Sequence, residues 1–167
     1  MATSTPTITA GPILAIDWAI EPKGFFSPNF NLYCRGDFVT TLQMKLWREG
    51  CSFSIAGHEF NIRKPSMWKD AFELVASDTT VCEVNRSFWS RRFELSGAGQ
   101  QWVLQPAGLF STTYQLLAGE REVGRVSLAS WWSRRRSGRF ADDVPPPVQV
   151  LAIFLVLIVA NRQSKSQ

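Results

Sequence analysis

Apolar and polar residues alternate along most of the chain between Leu14 and Ala141, in short runs separated by turn-forming residues. Alternation with a period of two is typical of strands that bury one face, and no apolar stripe with helical spacing competes over this stretch. The predicted strands span residues 14–19, 31–34, 38–47, 52–55, 58–64, 72–77, 80–85, 91–95, 101–105, 113–117, 122–131 and 138–141.

Short links join these runs, which predicts antiparallel pairing in a meander of hairpins. The links include Ala56-Gly57, Asp78-Thr79, Gly97-Ala98-Gly99 and Ala118-Gly119-Glu120. About a dozen strands with no helices of crossover length between them favour a barrel or a sandwich over a parallel sheet. One short helix is predicted over residues 65–70.

The chain changes character at residues 142–147, where two aspartates and three prolines end the last strand and can lead into a helix. From Val148 to Ala160 the only polar residue is Gln149, so a helix here has no polar face and needs other structure on all sides. Thirteen residues reach about 20 Å, less than the ~30 Å of a bilayer core. A barrel of about a dozen strands has an interior that such a helix would fill. We therefore predict a closed antiparallel β-barrel of about twelve strands around a central hydrophobic helix over residues 146–161.

Length and composition suit a single domain of 167 residues, with 45% hydrophobic and 13% aromatic residues. We expect a flexible N-terminal tail at residues 1–10, one barrel domain over residues 11–162 and a flexible C-terminal tail at residues 163–167. The first residues contain no basic segment followed by an apolar run, so we expect no secretory signal.

The chain contains few residues of the types that usually carry catalysis or bind metals. The chain has three cysteines without CxxC spacing and the single histidine His58, which sits in a predicted turn. Asp142 and Asp143 are interpreted as favourable charges at the start of the terminal helix. We therefore expect no enzymatic activity, no metal and no cofactor, and the unpaired cysteines favour a reduced, cytoplasmic setting.

Tryptophans and arginines meet near the end of the strand region, in a composition that suits contact with anionic headgroups. The candidate lipid-binding residues are Trp131, Trp132, Arg134, Arg135, Arg136 and Arg139, with Arg91 and Arg92 as a second group beside Phe88 and Trp89. The alternative interpretation is a solvated hairpin with inward-facing tryptophans and ordinary arginines at strand ends. The net charge is +4, and no nucleic-acid-binding motif accompanies the basic cluster.

The strand meander, the segment WWSRRRSGRF and the terminal VPPPVQVLAIFLVLIVANR resemble the tubby C-terminal-like superfamily, which includes phospholipid scramblases and plant LURP-one-related proteins. The resemblance covers residues 11–162. It implies a barrel of twelve antiparallel strands closed around a hydrophobic C-terminal helix. It also implies a non-enzymatic module that binds phosphoinositide or another anionic lipid.

Such a module is expected to be a monomer, peripheral at the inner membrane surface. Two other functions stay open from the sequence. One is a tail-anchored membrane protein, with residues 144–160 as the anchor and the strands as a cytosolic head. The other is a protein-interaction scaffold without a lipid ligand.

Overall fold

A computed structural model describes residues 14–45, 47–87, 91–128 and 136–166 of the chain. The predicted tail at residues 1–10 lies outside these ranges. The strands are β1 (Ile16–Pro22), β2 (Phe30–Cys34), β3 (Asp37–Met44), β4 (Cys51–Ile55), β5 (His58–Arg63), β6 (Ala71–Ala76), β7 (Thr79–Arg86), β8 (Phe93–Gly97), β9 (Gln100–Pro106), β10 (Thr113–Ala118), β11 (Arg121–Leu128) and β12 (Arg136–Phe140). One helix, α1 (Pro146–Lys165), follows them.

Each strand pairs antiparallel with its neighbours in sequence, and β1 pairs with β12, so the sheet closes into a barrel of twelve strands. The closing register joins Ile16 to Phe140 and Ile20 to Arg136. Every predicted strand overlaps an observed one, which confirms the barrel prediction. The short helix predicted over residues 65–70 is wrong, because the Ser66 hydroxyl accepts the Trp68 N–H at 3.3 Å in a local bend.

The two ends of the barrel are built differently. At one end, which we call the turn end, five hairpins close through two residues each. Positive φ angles, such as 51° at Ala56 and 79° at Gly57, allow these tight turns to match the strand twist. At the other end, the loop end, six connections of six or seven residues join the strands: residues 23–29, 45–50, 64–70, 87–92, 107–112 and 129–135.

The hairpins follow a regular repeat along the chain. The odd-numbered strands begin at Ile16, Asp37, His58, Thr79, Gln100 and Arg121, each 21 residues after the one before. One repeat therefore contains a strand that runs toward the loop end, a long loop, a returning strand and a tight turn. A fixed period of this kind brings equivalent sequence positions to the same level of the barrel.

Helix α1 fills the barrel. It begins at the turn end, where Pro145 caps it and prolines occupy its first turn, and it ends at the loop end. All residues from Val148 to Val159 are buried, and Phe154 packs edge to face against Phe72 of the wall. By length and composition α1 qualifies as a membrane span, but 67% of that stretch is buried inside the barrel. The helix extends to Lys165, so residues 163–165 form its last turn.

One polar side chain orients this apolar helix. Gln149 is 1% exposed, and its Oε1 accepts a hydrogen bond from Trp18 Nε1 at 2.7 Å. Its Nε2 donates to the Val144 carbonyl oxygen, also at 2.7 Å. These two bonds tie the first turns of α1 to β1 and to the link that precedes the helix.

Candidate functional site

Large apolar side chains are exposed at one end of the barrel. Among the described residues, seven of the eight exposed large hydrophobic side chains belong to loop-end connections, and we call them the apolar loop tips: Phe25, Phe26, Trp47, Met67, Trp68, Leu109 and Phe110. Trp47 is 98% exposed and Trp68 97%. The eighth residue, Phe38, lies beside a tight turn at the turn end and packs against Tyr33.

The apolar loop tips follow the repeat of the barrel. Phe26, Trp47, Trp68 and Phe110 occupy the same position of the 21-residue period, and each of them lies in a different connection. In the sequence the same position falls on Trp89 and Trp131, which lie outside the described residues. An aromatic residue therefore occupies this position of the repeat in all six loop-end connections. Since core packing needs no exposed aromatic residue in a loop, the recurrence points to a shared surface role.

Charge is divided between the two ends as well. Among the described residues, the loop-end connections hold seven basic residues (Lys23, Lys45, Arg48, Lys64, Lys69, Arg91 and Arg92) and two acidic ones (Glu49 and Asp70), which makes them net positive by five. The turn-end connections, with the link to α1, hold one basic residue (Arg35) and four acidic ones (Asp78, Glu120, Asp142 and Asp143), a net charge of −3. The apolar loop tips thus lie at the positive end of a polarised molecule.

Three of the arginines predicted from the sequence lie at the loop end. Arg91 and Arg92 belong to the connection between β7 and β8, and Arg136 begins β12. The Arg136 guanidinium lies 5.3 Å from the centre of the Phe30 ring, and burial lowers its pKa.

The remaining candidates are placed differently. Arg139 lies farther along β12, toward the turn end, where its Nε donates to Asp17 Oδ1 at 2.6 Å across the strand pair. It therefore does not join the loop-end group. Trp131, Trp132, Arg134 and Arg135 lie outside the described residues.

A group of ion pairs, which we call the mouth cluster, joins the end of α1 to the loops: Glu49, Lys64, Asp70, Arg86 and Arg162. Arg162 Nε donates to Glu49 Oε1 at 2.6 Å and Arg162 Nη2 donates to Asp70 Oδ1 at 2.8 Å. Arg86 Nη1 donates to Asp70 Oδ2 at 2.7 Å, and Lys64 Nζ lies 3.1 Å from Glu49 Oε2. The cluster fastens two loops to the helix terminus.

These contacts keep the cluster ionised. The hydrogen bonds from Arg162 lower the pKa of Glu49. Burial raises the pKa of Asp70, but hydrogen bonds from Arg162 and Arg86 outweigh burial and hold the pKa well below its usual range. The same two carboxylates raise the pKa of Arg162. All three groups are therefore charged at neutral pH.

Two grooves open at the loop end. One, of about 600 Å³, runs between the connections 87–92 and 107–112 and is lined by Arg91, Arg92, Gln105, Pro106, Gly108 and Leu109. The other, of about 560 Å³, lies beside the end of α1 and is lined by Arg86, Arg91, Val159, Arg162, Gln163 and Ser166. Arg91 contributes to both. Arginine side chains thus line both grooves.

The mouth cluster and the apolar loop tips are not found when the sequence is analysed strand by strand. The mouth cluster joins positions as distant as Glu49 and Arg162, which only the closed barrel brings together. The apolar loop tips carry a readable signal, the aromatic residue that returns every 21 positions. That signal becomes visible when the chain is searched for internal repeats before it is divided into strands.

Within the part of the chain that the structure describes, no three histidine, cysteine or acidic side chains lie close enough to share a metal ion. No protein-family model matches the chain, and the comparisons with curated proteins and with solved structures find no match either.

Proposed function

We propose that this protein is a non-enzymatic module that binds a phosphoinositide-containing or otherwise anionic membrane surface through its loop end. The observation that carries the proposal is the presence of the apolar loop tips at the positive end of the barrel. The module acts as a monomer, peripheral at the cytoplasmic face of a membrane. We further propose that it is a tubby-like protein, a proposal supported by its strand order and core helix.

The apolar loop tips suit a bilayer better than a rigid partner. They project from separate loops, and Phe26, Trp47, Trp68 and Phe110 are each at least 94% exposed. A fluid interface accommodates side chains that are spaced apart, whereas a protein interface needs a continuous complementary surface. Aromatic residues are enriched at the level of the lipid headgroups, and full burial of one large apolar side chain gains roughly 1.5–3 kcal/mol.

The charges also favour an orientation in which the loop end faces the membrane. Each lysine or arginine held near an anionic leaflet contributes about 1 kcal/mol, and the effect falls off within a Debye length. The acidic turn end is repelled by the same surface. The barrel axis is therefore expected to stand along the membrane normal, with the loop end facing the lipid.

Liposome sedimentation tests the proposal. We expect the full chain to bind anionic vesicles at low salt and to bind neutral vesicles weakly. The double variant Trp68→Ala/Phe110→Ala should weaken binding to anionic vesicles about tenfold or more, because two side chains that gain free energy only in the lipid are removed. Both residues are exposed, so the thermal midpoint should stay unchanged.

Phe38→Ala is the matched control, because it removes an exposed aromatic residue at the turn end. It should leave vesicle binding unaltered. Equal losses in Phe38→Ala and in the double variant, or equal binding to neutral and anionic vesicles, would contradict the proposal.

A protein-interaction scaffold would expose the same apolar loop tips, but it gives no reason for the loop end to be basic. A tail-anchored arrangement requires α1 to leave the barrel, which would expose an interior that now packs against residues such as Leu151 and Phe154. The vesicle experiment separates both from the proposal, since neither depends on the headgroup charge.

A further inference from the structure

We propose that the groove beside the end of α1, which we call the arginine groove, binds a phosphate group. This inference rests on the proposed function, because it names the headgroup chemistry that the loop end recognises. The groove is lined by Arg86, Arg91 and Arg162, with Gln163 and Ser166 on the helix side.

The first argument is the supply of hydrogen-bond donors. Arg91 is exposed, and no ion pair or hydrogen bond joins its guanidinium to another described residue. Arg86 uses Nη1 for Asp70, while its Nε–H is buried without a partner among the described residues. Guanidinium groups present paired N–H donors in a planar fork that matches the oxygens of phosphate.

A second buried group nearby also has no partner. The Tyr114 side chain is 2% exposed, and its hydroxyl makes no hydrogen bond with a described residue. Burial raises the pKa of Tyr114, while the charges of Arg91 and Arg86 lower it, which places this hydroxyl in the field of the same two arginines. A buried polar group without a partner is costly, and Arg86, whose Nε–H is one of the two, lines the groove itself.

The charge balance favours a doubly charged anion. The mouth cluster contains three cations and two carboxylates, and Arg91 brings the net charge of the region to +2. Glu49 and Asp70 are already compensated by Lys64, Arg86 and Arg162, so they do not dominate the field in the groove. A phosphomonoester carries about −1.5 to −2 near pH 7, which matches this excess.

Arg162 has a different role in the arginine groove from that of Arg91. Four of its N–H contacts go to Glu49 and Asp70, and it contributes charge and the fixed position of the groove wall. Arg91 is therefore the residue whose removal tests the site with the least disturbance of the fold.

Calorimetric titration of the full chain with inorganic phosphate is the first experiment. We expect Arg91→Ala to weaken phosphate binding about tenfold and Arg91→Lys to recover only part of that loss, because lysine restores the charge but not the fork. Arg121→Ala is the control, since it removes the same charge at the turn end. Equal effects of Arg91→Ala and Arg121→Ala, or no phosphate binding by the unmodified chain, would overturn the inference.

Vesicles distinguish the source of the phosphate. With a lipid headgroup as the ligand, vesicles containing phosphatidic acid should bind more tightly than phosphatidylserine vesicles of equal surface charge, and Arg91→Ala should abolish that preference. Binding of inorganic phosphate that depends on Arg91 without any lipid preference also supports the groove, with a soluble phosphate compound as its ligand.

The experiments distinguish an error in the phosphate site from an error in the proposed membrane function. Trp68→Ala/Phe110→Ala should weaken vesicle binding and keep phosphate binding, because neither side chain lines the groove. If Arg91→Ala instead lowers binding to both lipids equally and leaves phosphate binding intact, the membrane function stands and the phosphate site is refuted.

Discussion

Gln149 is a polar residue inside a helix that is otherwise apolar on every side. Its amide satisfies two buried groups at once, the Trp18 indole N–H and the Val144 carbonyl oxygen. An apolar helix in an apolar barrel can rotate with little change in buried area, whereas these hydrogen bonds exist in only one rotation. Gln149 therefore contributes specificity to the packing as well as stability.

We expect Gln149→Leu to destabilise the protein by about 1–3 kcal/mol for each buried group left unpaired. Trp18→Phe removes the donor that faces Gln149, so the combined variant should cost less than the sum of the two single variants. Urea unfolding of the four proteins measures this coupling. Full additivity would show that the hydrogen bond contributes nothing to stability.

At the scale of elements, α1 and the loops are held together by the mouth cluster. The apolar stretch of α1 ends close to the loop end, and Arg162 continues the attachment with ion pairs to Glu49 and Asp70. These side chains are about 30% exposed, so they are partly shielded from screening by salt. Two loops that would otherwise be held only at their strand ends are thereby fixed to the core.

The lowered pKa values of Glu49 and Asp70 predict how stability depends on pH. Both carboxyls have folded-state pKa values below their unfolded values of about 4, so their contribution is present above that pH and is lost as the pH falls below it. In Arg162→Gln, both pKa values move back toward the ordinary range. We expect this variant to be less stable at neutral pH and to lose less stability between neutral pH and strongly acidic pH.

Urea midpoints measured over a series of pH values provide the test. Arg63→Gln is a suitable control, because it removes a loop-end ion pair with Glu73 that does not involve α1. The prediction fails if Arg162→Gln and the unmodified chain show the same dependence on pH.

The strands were predictable because apolar and polar residues alternate along each of them in the same way as buried and exposed side chains. In β5, for example, the side chains of Phe60 and Ile62 face the core while their neighbours are exposed, and the sequence alternates accordingly. The tight turns were predictable from glycine, as at Gly57. The position of Arg139 was not, because neighbours in sequence along a strand lie at different heights on the barrel wall. Arg136 and Arg139 are three residues apart, and only the first lies at the loop end.

At the scale of the whole molecule, the 21-residue repeat places equivalent sequence positions on one surface of the barrel. Equivalent positions of six hairpins are brought to one end, where aromatic and basic residues accumulate, while acidic residues accumulate at the other end. The net charge of +4 therefore understates the field that the loop end presents.

This polarity predicts a position-dependent effect of charge removal. Lys23→Gln/Lys69→Gln should weaken binding to anionic vesicles by about 2 kcal/mol at low salt, because both lysines lie in loop-end connections. Arg35→Gln/Arg121→Gln removes the same charge at the turn end and should have little effect. Sedimentation across a salt series measures both, and equal effects would show that only the net charge matters.

The interior of the barrel depends on a helix that follows all twelve strands in sequence. Helix α1 occupies the centre of the apolar interior, where its buried residues join those of the strand wall in one hydrophobic cluster. During synthesis the strands emerge first, without the segment that their inward faces pack against. Assembly of the barrel must then wait until α1 has been synthesised, and a nascent chain that stalls before Pro146 leaves a β-sheet with an uncovered apolar face, a species prone to aggregation.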